Sequence, residues 1–221
     1  VGVASNDYGG SLTHVSCSNI TIVGKGKGKT TILGGFFVNG KQNVKIEQLS
    51  VTNKSGMGLF CVGSGSNVDV MECCFKKCRD TGMWVYKGAT VTATRCDFME
   101  NGNYGVACDA ANTKVRLSDS TMHHNESAGL YADDHAVVDL YGTKTGIHSN
   151  KGTKNQHPSN GIFATRDAKV NIHLPSQHNT SHDNVQEDRG QRSGGSIANI
   201  NADGTFTHVP WVEEEADNFD Y

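Results

Sequence analysis

The 221 residues are enough for one domain with a real core, and 26 glycines against 3 prolines suit many tight turns between uninterrupted strands. A formal net charge of −3, with a single short lysine cluster (Lys25, Lys27, Lys29) interleaved with glycine, argues against a nucleic-acid partner. No apolar run approaches the roughly 18 residues of a spanning helix and no signal peptide is recognisable, so no membrane partner is expected and no compartment is assigned.

Taken in chain order, residues 1–19 have mixed polarity and are expected to form a cap or partial coil over one end of the fold. From Ile20 to Leu33 the pattern is strand, Gly-Lys loop, strand. Gly28-Lys29-Thr30 imitates the tail of a phosphate loop, but the first glycine of that motif would fall on Val23, and the β-branched Thr31-Ile32-Leu33 stands where a helix should begin. Nucleotide binding is therefore rejected.

From Gly35 onward one pattern repeats. A glycine opens a short apolar strand (Gly58-Leu-Phe-Cys-Val, Gly82-Met-Trp-Val-Tyr, Gly105-Val-Ala-Cys-Asp). A second strand follows, anchored at Val44, Val68, Val91, Val115, Val138 and Val170, with Ile20 before them and Phe206 after. A third strand closes on Cys78, Asn101, Asn125, Asn150 and Asn184. The opening glycines (Gly35, Gly58, Gly82, Gly105, Gly129, Gly161, Gly195) and the anchors step together by 23 or 24 residues and lengthen together near the end, which predicts a solenoid of about eight coils. A leucine-rich repeat is excluded because each unit carries three strand-like segments and no helical period.

The N-x-x-x-G unit followed by an apolar strand resembles the right-handed parallel β-helix of the pectin-lyase-like superfamily, over roughly Ile20 to Phe206. That resemblance implies an all-β, right-handed parallel β-helix over residues 1–209, followed by an acidic tail at 210–221. The superfamily holds lyases, hydrolases, esterases, epimerases, tailspikes and non-catalytic modules, so the fold alone assigns no activity. The slots that carry N-T-D-G, D-D and G-H-G in polygalacturonases read Asp80-Thr81, Asn103-Tyr104 and Ser127-Ala128 here. Neither D-P-H nor R-x-P-x-x-R occurs, so whether the protein is an enzyme stays open.

The coil register gives most of the seven cysteines core positions, where a free thiol behaves as a small hydrophobe, and no paired C-x₂-C spacing suggests zinc. The stacked asparagines predict an amide ladder along the axis, which would bury the Asn125-Glu-Ser sequon. His123, His148 and His182 stand in register two residues earlier and are expected as a solvated row rather than a metal site.

Strand alternation places Phe37, Phe60, Trp84, Ala107, Tyr131 and Phe163 on the outward face of the first sheet, with Asn39, Val62, Tyr86, Asp109, Asp133 and Thr165 beside them. An exposed aromatic stripe of that size calls for a ligand or a covering loop. Long insertions are expected at 151–160 and 175–194, both feeding the first strand, as walls of a cleft. The strongest chemical constellation is Asp109, Asp133 and Asp134 with Lys87, Arg166, His135 and Asp167. Two carboxylates one coil, about 5 Å, apart would split their pKa values as an acid and base require, or hold calcium, the cofactor the resemblance suggests. Carbohydrate binding or processing is the leading expectation, with Phe60, Trp84, Tyr86, Tyr131, Phe163, Lys87 and Arg166 contacting a polysaccharide. The alternative is a non-catalytic scaffold whose same face docks a protein.

Overall fold

The computed structural model describes residues 3–5, 11–151, 160–201 and 203–208. Three parallel sheets wind around one core. The first stacks Ser11–His14, Gly35–Asn39, Leu59–Val62, Met83–Tyr86, Val106–Asp109, Leu130–Ala132, Ile162–Ala164 and Arg189–Gln191, and Val3–Ser5 joins its N-terminal edge antiparallel. The second runs Ile20–Val23, Val44–Glu47, Asn67–Met71, Thr90–Thr94, Lys114–Ser118, Val137–Tyr141, Lys169–Ile172 and Ser196–Ile200, closed by the antiparallel Phe206–His208. The third stacks seven strands from Thr31–Leu33 to Ser181–His182. Among the described residues there is no helix.

The core follows from period-2 patterning closed into a coil. Val44, Val68, Val91, Val115, Val138 and Val170 pair in register as one inward column, with Ile20 below and Ile197 above. Each of the six valines is at most 1% exposed. Phe75 and Phe98 stack inside the third sheet at 5.3 Å between centroids. Six of the cysteines are buried in or against this core and all seven are free thiols. Burial pushes Cys61 and Cys96 up to about 12, so these thiols pack as hydrophobes and are poor nucleophiles or ligands.

Single residues in the left-handed region turn the chain at its corners. Gln48, Glu72, Arg95 and Asp119 do so between the second and third sheets, with φ of 53°, 51°, 53° and 49°. Lys77, Glu100, His124, Ser149 and Asp183 do so after the third, with φ of 54–56°. Their side chains point to solvent, where a polar residue in this conformation is tolerated at a cost of about 1–2 kcal/mol.

The closing asparagine and the opening glycine form one physical unit. Asn125 donates from Nδ2 to the Phe98 carbonyl at 3.1 Å and to Asn150 Oδ1 at 2.9 Å, and its own Oδ1 accepts from the Asn101 backbone N–H at 3.1 Å and from Asn101 Nδ2 at 3.0 Å. The same pattern joins Asn150 to Asn184. A Cβ at Gly105 would fall 2.6 Å from the Gly129 carbonyl oxygen and 2.9 Å from Asn125 Nδ2, so only glycine fits beneath the ladder. Asn125 is fully buried, which places its sequon inside the coil.

The last coils depart from the sequence expectation. Residues 175–194 are not a long loop: they contain the third-sheet strand Ser181–His182 and the first-sheet strand Arg189–Gln191. Ile162 pairs with Arg189, so Asp188 rather than Gly195 holds the opening position, and Ile197 rather than Phe206 continues the valine column. Gly195 lies in the following turn, where a Cβ would sit 2.2 Å from the Ala164 carbonyl oxygen. Tight packing excludes a Cβ at Gly161 and at Gly195 for different reasons, and spacing alone does not separate the two kinds of position. Within the expected cap, Ser11–His14 is already a strand of the first sheet. Most of the 151–160 insertion and all of the 210–221 tail lie outside the described residues.

Candidate functional site

The outward row of the first sheet pairs as expected, Phe37 to Phe60 to Trp84 to Ala107 to Tyr131 to Phe163. It is not an exposed stripe. Phe60, Ala107 and Phe163 are 1%, 3% and 4% exposed. Leu12 and Met57 pack on Phe60, while Tyr104 and Ala128, from the turns that feed the first strands, pack with Ala107 and Phe163. Tyr131 is sandwiched between the Tyr104 ring, 4.6 Å away and 9° from parallel, and the Phe163 ring at 6.1 Å and 17°. Both faces of Tyr131 are therefore occupied. The expectation that Phe60, Phe163 and Tyr131 offer stacking faces is corrected, because the chain's own turns fold over them. Trp84 and Tyr86 remain half-exposed, their rings 5.9 Å apart, and Lys87 Nζ lies 5.0 Å from the Tyr86 centroid.

At the corner leading into the second sheet, the register brings Asp109 and Asp133 onto neighbouring coils. Their environments differ. Asp133 is 2% exposed and accepts from Arg166 Nε at 2.6 Å, Tyr131 Oη at 2.7 Å and the Asp134 N–H at 2.8 Å, with Arg166 Nη2 completing a bidentate pair. Those bonds hold the Arg166 guanidinium firmly protonated, while 62% of its side chain stays exposed. Asp109 is half-buried, and its carboxyl is pushed up first by burial and then by the Asp133 charge. Asp134, at φ 47°, turns outward to His135 Nδ1 at 3.1 Å, and His135 Nε2 lies 3.7 Å from Asp167.

Chemically, Asp133 is a post rather than a reagent, since four donors already occupy its oxygens. A calcium ion does not fit there, because the guanidinium stands where the cation would. Asp109 keeps its carboxyl outside that pairing, with the Arg166 charge beside it. Sequence reasoning found each of these residues but missed the Asp133–Arg166 pairing and the cover supplied by Met57, Tyr104 and Ala128. The signal lay in the apolar residues just ahead of the opening glycines.

The histidine row is a stack on the outward face of the third sheet. Ring centroids are 5.1 Å apart between His123 and His148 and between His148 and His182, at 3° and 14° from parallel. Among the described residues no group of three His, Cys, Asp or Glu could hold a metal. Burial first, and neighbouring imidazoles next, hold His123 and His148 below the usual histidine range. The unfolded chain, with ordinary histidines near 6.5, thus takes up these protons first. Stability is complete above about pH 6.5 and falls as pH drops from there toward the lower folded-state values. Denaturant midpoints measured from pH 7.5 to pH 5 should decline, and His148→Asn should flatten that decline.

The family described as the right-handed beta helix region matches residues 5–185. A search of curated proteins returned no match. The in-register valine column, the asparagine ladder and a family match that spans most of the chain lead to one conclusion: this protein belongs to the right-handed β-helix family.

Proposed function

We propose that this β-helix binds carbohydrate at the corner between the first and second sheets, and that it binds without cleaving. The observation that carries this reading is the raised, half-buried carboxyl of Asp109 set among Lys87, Arg166 and the half-exposed rings of Trp84 and Tyr86. The Asp109 carboxyl offers hydroxyls an acceptor, the exposed Arg166 guanidinium offers a donor, and the adjoining rings offer apolar surface to a sugar. A two-carboxylate mechanism needs a second free carboxylate, whereas the oxygens of Asp133 are committed to Arg166, Tyr131 and Asp134. The sealing of the aromatic row by the chain's own turns favours a second reading, a scaffold that docks a protein on another face.

A glycan array, run with and without calcium, followed by calorimetry on hits, tests the proposal. Tyr86→Ala and Asp109→Asn are each expected to weaken binding by roughly 1–3 kcal/mol with the melting temperature nearly unchanged, and calcium should make no difference. Absence of any glycan ligand, or variants that bind like the parent, would leave the scaffold reading in its place.

A further inference from the structure

We infer that the carbohydrate site continues along the same corner into a groove built for an uncharged glycan chain lying parallel to the solenoid axis. This inference rests on the carbohydrate reading above and names its substrate class. Gln42, Asn43, Asn67 and Thr90, with Gly65 and Gly88 in the floor, line a groove of about 400 Å³ over the turns of three consecutive coils. These turns are the same ones that, one to three coils further on, carry Asp109, Asp134 and Arg166. Tyr86, which pairs with Asp109 in the first sheet, is followed by Lys87 and Gly88, and the Gly88 N–H donates to Thr113 Oγ1 of the next coil at 2.9 Å.

The depression has a sequence cause. Three positions before the anchor, the turns from Gly65 onward carry a left-handed residue, whereas the first turn of the groove carries its own one place earlier, at Gly40 (φ 63°). Asn112, His135 and Asp167 fill that position in the later coils, with φ of 64°, 63° and 61°, whereas Gly65 and Gly88 fill it here at 85° and 81°. Without side chains at these two places the turns leave a trough. It is open and not merely unfilled by packing, since nothing lies nearer than 3.8 Å to a Cβ built at Gly65, and that atom is Gln42 Nε2.

The lining selects the ligand. Ser66 spends its hydroxyl within the chain, accepting from the Gly40 N–H at 2.7 Å and donating to the Val62 carbonyl at 2.6 Å, and Asn43 donates to Asn19. The side chains of Gln42, Asn67 and Thr90 make no hydrogen bond to another described residue. Amides and a hydroxyl present donors and acceptors side by side, which is the pattern of sugar hydroxyls. No ionisable side chain lines the groove, so nothing in it would compensate the carboxylates of a polyuronate. A trough crossing coils about 4.8 Å apart suits an extended chain better than an isolated small molecule.

Calorimetry with xylo- and cello-oligosaccharides of increasing length, and with oligogalacturonates as the charged comparison, tests this. The parent should bind neutral chains more tightly as they lengthen. Asn67→Ala/Thr90→Ala should remove that gain, roughly tenfold in Kd for the longest chain, while leaving the shortest chain's affinity and the melting temperature as in the parent. Thr90→Trp, which fills the trough, should do the same. If the gain with length persists in both variants while Asp109→Asn still weakens binding, the groove is overturned and the corner site stands. Preference for oligogalacturonates overturns the uncharged-chain inference, and failure of every oligosaccharide to bind overturns both.

Discussion

Replacing Asn125 by alanine is expected to cost at least about 3 kcal/mol, because each buried partner left without its bond costs roughly 1–3 kcal/mol. The Phe98 carbonyl would lose its amide donor, while the Asn101 N–H and Nδ2 would lose the acceptor they share. The site is fully buried, so water cannot replace them without opening the coil. Set against a total stability of about 5–15 kcal/mol for an ordinary domain, this is a large fraction. Chemical denaturation of the purified variant measures it directly. A loss below about 1 kcal/mol would mean that the ladder is an ornament of the turn and not a support of the stack.

Val91→Asp should abolish the cooperative unfolding transition altogether. Val91 is fully buried and pairs in register with Val68 on one side and Val115 on the other, so the carboxylate would enter a dry column with no cation or donor in reach. The effective penalty for an uncompensated buried charge is several kcal/mol even after relaxation, on top of the lost side-chain burial of about 1.5–3 kcal/mol. Val91→Ala, which removes only the methyl groups, should fold and lose roughly 2 kcal/mol. A native melting curve for the aspartate variant would place position 91 on another face and end the register described above.

The period, the three-sheet coil and the asparagine ladder were legible in the sequence because every coil must satisfy the same packing rule at the same residue. Valines that pair one above another cannot drift out of step, and the closing amide forbids a Cβ at the opening glycine. The last two coils were harder, since Gly195 obeys a different close contact from Gly161, and Ser181 takes a core position where the earlier coils use Phe75, Phe98, Met122 and Ile147. Alternation told which side of the strand Phe60, Tyr131 and Phe163 occupy. It carried no information about Met57, Tyr104 and Ala128 folding back across that side. Likewise, adjacency of Asp109 and Asp133 followed from the register, but Arg166 taking both oxygens of Asp133 depends on how one side chain leans across a corner.

Hydrogen–deuterium exchange of the whole chain, with and without a bound neutral oligosaccharide, locates the ligand on the solenoid. Protection is expected only in the turns between the first and second sheets, at residues 40–43, 63–67, 87–90, 109–113 and 133–136. Protection centred instead on the third-sheet strands that carry His123, His148 and His182, with these turns unchanged, would contradict a site at that corner.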